Sequence, residues 1–490
     1  MITKITPYYT YDDVLIKPKY SKVKSRKNVN LKTKLTKNIT LNTPLISSNM
    51  DTITEEDMAI EMAKLGGVGI LHRYCSVDQQ VEMVKKVKRY TNFVILEPYK
   101  IYENTKIKTI KEILYKRKVK SFLVINKHSD LVGIFTNRDL ISLHNDINLD
   151  EELVSKYMTP KEQLITVDKS LIDMMEIDKI IALMSKNKIQ KLPVLHNDKV
   201  YGLVTLRDML DRTNENFKAT ANLDINSQLV VGCAIGVNKD YLERAKQVIR
   251  AGCDIICIDV AHGHHILCGE AVKQIKSTYP NIDVIAGNVC TGEGVEYLAS
   301  CGADCVKVGV GPGSICITRK QTGCGAPQLS SVMDCSIAAK KMGVTIIADG
   351  GHGGCIGNIF KALCCGASAS MLGGMISGTS ETPGQIYTKL DKKVKQIRGM
   401  AGIMSNYKKS LKMDEDTEHI QDMTPEGVEG YVTYKGPVKD IITQIEGGIK
   451  SGLSYVGCES LEKLKDTEIE LLLITNSGLK ESGSHGIKEI

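Results

Sequence analysis

The sequence predicts an α/β protein built on a (β/α)8 barrel, and three observations predict it. Eight short apolar runs recur along the chain with helix-length segments between them. Seven of the eight runs end in or are followed by polar or glycine residues, at the position where barrel enzymes carry their chemistry. At 490 residues the chain also exceeds one ordinary domain, which leaves room for a smaller one.

In order, the runs are PLISSNM at 44–50, GVGIL at 67–71, LVVGC at 229–233, DIICID at 254–259, DVIAG at 283–287, CVKVG at 305–309, TIIAD at 345–349 and ASMLG at 369–373. Short β-branched stretches bounded by glycine or turn residues read as buried strands. After them come Asn49 and Asp51, His72 and Arg73, Asp259 and His262, Asn288, a cysteine loop, Asp349 with Gly350 and Gly351, and Gly373 with Gly374. Turn formation explains any one of these but strains to cover most of the set.

The cysteine loop, GVGPGSICITR at 309–319, is the most informative of these ends. It starts where the CVKV strand stops, so its backbone N–H groups are free to face an anion. Its glycines allow close approach to a phosphate. Cys316 brings a nucleophile and Thr318 a neighbouring hydroxyl. Most of the fifteen cysteines read as buried hydrophobes, and the loop context sets Cys316 apart. The spacing is not a dinucleotide fingerprint, because Ser314 stands where its last glycine belongs.

Composition narrows the class. An odd cysteine count with Cys364 beside Cys365 argues for reduced thiols and a cytoplasmic protein. No stretch of 18 apolar residues and no signal-peptide core is present, which argues against a membrane role. The net charge of +7 is spread along the chain and favours small anionic molecules. With 5% aromatics and no tryptophan, the stacking residues of a nucleic-acid surface are scarce.

Between the second and third runs lies an insertion with an internal repeat: FLVI…LVGIFTNRDL at 122–140 matches LPVL…VYGLVTLRDM at 192–209. Gly133, Thr136, Arg138 and Asp139 recur as Gly202, Thr205, Arg207 and Asp208. The repeat resembles a tandem pair of cystathionine-β-synthase (CBS) motifs, and the resemblance implies that Thr136, Asp139, Thr205 and Asp208 hold an adenine or guanine nucleotide effector; a folded spacer is the alternative. The expected organisation is therefore a catalytic barrel at 1–93 and 220–490 and a CBS pair at 94–219. Residues 391–436, with YKKSLKMDEDTEH inside them, read as a lid near the barrel mouth or as a solvated loop.

The ordered succession YDDV, SSNMDTIT, DVAHGH, AGNV, GVGPGSICITR, ADGG, IRGM and PEGVEG resembles the IMP dehydrogenase and GMP reductase family along essentially the whole chain. The resemblance implies a TIM barrel holding a purine mononucleotide across its mouth. Ser48, Ser314, Gly351, Gly373 and Gly374 then match the phosphate cradle, and Asp349 the residue that takes the ribose hydroxyls. Met400 and Glu426 match the purine edge, and Cys316 the nucleophile that adds to purine C2. Thr318 and Glu426 form a proton-handling pair. Asp259, Asn288 and Gly309 match positions near the nicotinamide, Asn288 also matches a position beside the substrate's purine base, and the carbonyls of Gly311, Gly313 and Cys316 match a potassium site. A homotetramer or octamer is implied as well.

The two activities of the family share the covalent adduct and differ in its fate. Dehydrogenases carry an adjacent Arg-Tyr pair in the flap to activate water; between Met400 and Glu426 only Tyr407, Lys408, Lys409 and Lys412 come near it. Asn49 before Met50, the TRKQTG stretch at 318–323 and Leu372 before the paired glycines resemble reductases. The CBS pair and the long flap resemble dehydrogenases, and Ile397 departs from the tyrosine common before RGM. The expectation is a GMP reductase using NADPH, with an IMP dehydrogenase using NAD as the alternative. A dead barrel that leaves nucleotide sensing to the CBS pair is a third reading, opposed by the retention of Cys316, Thr318, Glu426 and Asp349.

Overall fold

A computed structural model describes residues 4–484 apart from 91–93, 96–97, 118–120, 144–148, 174–176, 207–208, 211–214, 239 and 403–423. It divides into two compact units, one of residues 1–88 with 220–490 and one of residues 89–219. The first boundary falls at the end of the helix Val77–Arg89 rather than at residue 93.

In the larger unit eight parallel strands close into a barrel: β1 Leu45–Ser47, β2 Val68–Leu71, β3 Val231–Ile235, β4 Ile255–Asp259, β5 Asp283–Val289, β6 Cys305–Val308, β7 Thr345–Asp349 and β8 Ala369–Leu372. Neighbours in sequence are neighbours in space, and β2 pairs with β3 across the insertion. Each of the eight apolar runs supplies one strand. The third is displaced by two residues, because Leu229 bridges Leu223 ahead of the barrel.

Inside the barrel Ile46, Val68, Ile70, Ile255, Cys257, Ile285, Cys305, Ile347 and Met371 pack with Leu35 and Leu41 from the hairpin Thr33–Lys34/Thr40–Leu41. That hairpin lies against the strand beginnings: Asn38 Nδ2 donates to Asp283 Oδ1 at 2.8 Å. The N-terminal end is thereby filled, and polar groups collect at the C-terminal end. Outside, helices including Glu56–Lys64, Ile356–Cys364 and Val438–Tyr455 bury Met58, Met62, Ile359, Ile442, Ile445 and Ile449 in a second core. After β8 the strands β9 Tyr387–Lys389, β10 Lys392–Arg398 and β11 Glu429–Thr433 form an antiparallel sheet, and β10 and β11 lie within the expected lid. Tyr407, Lys408, Lys409 and Lys412 fall outside the described residues.

In the smaller unit the repeat becomes two four-stranded sheets of the same build. In each, a parallel pair precedes an antiparallel pair: Lys100–Tyr102, Ser121–Ile125 and Leu131–Thr136 in one, Val167–Asp168, Lys191–His196 and Lys199–Thr205 in the other. The fourth strand is exchanged. Thr159–Pro160, which leads into the second repeat, pairs with the first, and Val94–Ile95, which leads into the first, pairs with the second. Even the register irregularity recurs, after Val124 and after Val194.

Candidate active site

Lys307 stands alone as a charge within the apolar strand β6, almost fully buried, and organises the barrel mouth. Its Nζ donates to Asp259 Oδ1 of β4 at 2.8 Å, to Asp349 Oδ2 of β7 at 2.9 Å and to Asn288 Oδ1 of β5. Asn288 Nδ2 in turn donates to Asp349 Oδ2 at 2.9 Å and to the Gly309 carbonyl at 2.7 Å. Burial pushes the Asp259 carboxyl up, but Lys307, Arg73 and a hydrogen bond from Asn49 outweigh it and hold the group below the ordinary aspartate value.

The Cys316 loop leaves β6 through Gly309 at φ +148°, where a Cβ would meet the Asp349 carbonyl at 2.3 Å, so only glycine fits. Arg319 clasps the loop by donating from Nε to the Val310 carbonyl at 3.1 Å and from Nη2 to that of Ala326. The loop then pairs with the later part of the expected lid: Ile317 N–H donates to the Glu426 carbonyl at 2.8 Å and Val428 N–H to that of Ile315 at 3.0 Å. This pairing sets the side chains. Cys316 Sγ lies 3.1 Å from Thr318 Oγ1, and Thr318 Oγ1 donates to Glu426 Oε2 at 2.7 Å. Met400 is held from behind, its carbonyl accepting from Tyr74 Oη at 2.8 Å, while the adjoining Arg398 Nε donates to Asp51 Oδ2 at 2.7 Å.

A cavity of about 300 Å3 opens over these groups, lined by Ser48, Asp259, Asn288, Lys307, Gly309, Gly311, Gly313, Cys316, Thr318, Asp349, Met400 and Glu426. It meets a second, of about 430 Å3, lined by Ser48, Ser314, Asp349, Gly351, Gly373 and Gly374. A Cβ on Gly374 would come within 2.9 Å of Ser314 Oγ, so the two sides of this cradle approach closely. The barrel positions expected from the sequence thus converge on one mouth. His352 also faces the cradle, stacked on Tyr11 at 5.8 Å, and burial lowers its pKa to about 4. Lys307, Arg319 and His352 are not among the positions expected from the sequence. A lysine inside CVKV is the available signal for the first, and the other two act through contacts that no local pattern shows.

In the smaller unit Thr136 caps the helix Asn137–Ile141, and its N–H and Oγ1 donate to Asp139 Oδ2 at 2.6 and 2.8 Å. The Thr-x-x-Asp spacing is therefore a capping box. Thr136, Arg138, Asp139, Lys188 and Lys191 line a cavity of about 560 Å3. Thr205 ends its strand, and Asp208 lies outside the described residues. All fifteen cysteines are free. Among the described residues, no helix is long and apolar enough to cross a membrane, and no group of three metal-binding side chains occurs.

A thiol joined through a hydroxyl to a carboxyl group, at the C-terminal mouth of a closed (β/α)8 barrel beside a glycine-rich cradle, is the arrangement of an enzyme active site that offers a cysteine nucleophile. The family model described as "IMP dehydrogenase / GMP reductase domain" matches residues 8–485, and the chain belongs to that family. It is accordingly an oxidoreductase that works with a nicotinamide dinucleotide. It is 42% identical to a GMP reductase of Leishmania major over 98% of this chain and 97% of that one. It is 38% identical to an inosine-5'-monophosphate dehydrogenase of Nitrosopumilus maritimus over 98% of each. A crystal structure of a GMP reductase from Trypanosoma brucei in complex with guanosine 5'-monophosphate superposes with a TM-score of 0.86 at 40% identity, covering 99% of both chains.

Proposed function

We propose that the chain is a GMP reductase, converting GMP to IMP and ammonia with NADPH. The observation that carries this reading is the line Cys316, Thr318, Glu426, a complete proton path beside the nucleophile. The thiol proton passes through the Thr318 hydroxyl to Glu426 as sulfur bonds to purine C2. Glu426 returns it to the departing amino group, which leaves as ammonia. When bound, the reduced nicotinamide supplies the hydride that replaces the amino group at C2, and the C–S bond then breaks to release IMP. No further base is needed for these steps, and the sequence of the lid offers no Arg-Tyr pair to activate water.

The phosphate would rest on Ser48, Ser314, Gly351, Gly373 and Gly374, and the ribose on Asp349. The nicotinamide would lie by Asp259 and Asn288, which Lys307 fixes in place, with Val260 and Ala261 lining the same cavity. The carbonyls of Gly311, Gly313 and Cys316 are the candidate holders of a potassium ion, and the cavity at Thr136 and Asp139 the candidate site for a regulatory purine nucleotide. Full-length similarity to dehydrogenases keeps IMP dehydrogenase as the alternative. Monitoring the reduced-nicotinamide absorbance separates the two. Loss of absorbance with GMP and NADPH is expected, and turnover only with IMP and NAD would overturn the proposal.

A further inference from the structure

Lys307 is more than a buried counter-charge. An ammonium has three protons to donate, and here all three are used, on Asp259, Asn288 and Asp349. Each acceptor sits at the end of a different strand, and each lines the same cavity. Two face the expected cofactor and one the expected ribose. We propose that Lys307 is the positioning residue that couples the nucleotide and cofactor halves of the site, by holding Asp349 and Asp259 in their working rotamers and fixing the Asn288 amide. The proposal rests on the purine-nucleotide reading of Asp349 and Asp259.

The geometry makes the roles specific. Asp349 Oδ2 receives both Lys307 and Asn288 Nδ2, which leaves its other oxygen to accept from a ligand. The Asn288 oxygen faces the ammonium, so its nitrogen must face Asp349 and the Gly309 carbonyl, and the amide cannot flip without losing all three bonds. Burial alone would lower the Lys307 pKa, but Asp259 and Asp349 outweigh it and keep the ammonium well above the ordinary lysine range. Charges of alternating sign therefore cross the mouth, from Arg73 through Asp259 and Lys307 to Asp349. Removing the central one leaves the Asp259 and Asp349 carboxylates, each about a fifth exposed, without the cation that bridges them, and one of them takes up a proton at higher pH than before.

The test is equilibrium titration of GMP and, separately, NADP into the wild-type protein, Lys307→Met and Lys307→Arg across pH 5 to 9, with thermal unfolding alongside. Lys307→Met is expected to weaken both ligands by about tenfold or more. The pH at which GMP affinity falls should also move upward. Lys307→Arg keeps the charge but not the three-way geometry, so it should weaken both ligands while holding the wild-type pH profile, and it remains informative if the Met variant does not fold. A folded variant that binds both ligands within about twofold of wild type, or that weakens only one of them, would overturn the proposal. Asp349→Asn is the separate control: if it leaves GMP affinity untouched, the reading of the site fails, not the role of Lys307. IMP and NAD replace the ligands if the wild type prefers them, so an error in direction leaves the test intact.

Discussion

The Thr318 hydroxyl donates to Glu426 Oε2 at 2.7 Å across 108 residues of sequence. The two are brought together by backbone pairing between the Cys316 loop and the chain around Glu426, seen in the Ile317 to Glu426 bond at 2.8 Å. The proton path is thus part of the fold of the mouth rather than of either segment alone.

If that path carries the proton, Thr318→Val and Glu426→Gln should each lower kcat by about a hundredfold with a much smaller change in nucleotide affinity. The double variant should be hardly worse than either single one, because both remove the same path. Steady-state kinetics on the three proteins checks this; additive losses would place the two residues in separate steps.

Cys316→Ala removes the nucleophile while leaving the phosphate cradle and Asp349 in place. Turnover should fall by at least about a thousandfold, and GMP should still bind in calorimetry, since no anchoring group of the cradle is lost.

Arg319 ties the Val310 carbonyl near the start of the Cys316 loop to the Ala326 carbonyl beyond its end. Arg319→Ala should loosen the loop, raising the rate at which iodoacetamide alkylates Cys316 while lowering kcat, with mass spectrometry identifying the modified cysteine. Unchanged alkylation and turnover would mean that the loop holds itself.

His352 links the site to acid stability. Burial lowers its folded-state pKa to about 4 from 6.5, against the opposing pull of Asp349. The unfolded chain therefore binds the proton first as pH falls, so stability is full above pH 6.5 and is lost as pH drops toward 4, by about 3 kcal/mol in total. His352→Phe, which keeps the stacking on Tyr11, should flatten that part of the profile in urea unfolding measured from pH 7 to pH 4.

In the smaller unit the Thr136 and Asp139 capping box closes the first turn of its helix. Asp139→Ala should destabilise this unit by about 1 kcal/mol, read as a modest fall in its unfolding temperature. It should also abolish any response to added ATP or GTP if the neighbouring cavity holds them. A response that survives would move the effector elsewhere.

The sequence by itself determined the barrel, because period, strand length and flanking turn residues are local properties, and eight of them in succession admit few folds. It also singled out candidate residues, Cys316 in its glycine loop, Asp349 before paired glycines and Asp259 at a strand end, which the structure gathers around one cavity. The repeat in the smaller unit was legible too, though the exchange of strands 94–95 and 159–160 between its halves was not, since nothing local says which sheet a two-residue strand joins. Only the tertiary structure decided how these residues work together. The burial of Lys307 among two carboxylates and an amide, the reach of Arg319 across its loop and the 2.7 Å bond from Thr318 to Glu426 depend on atoms distant in sequence. Hydrogen bonds and ion pairs act over a few ångströms of space, and closure of the barrel is what turns separate strand ends into neighbours.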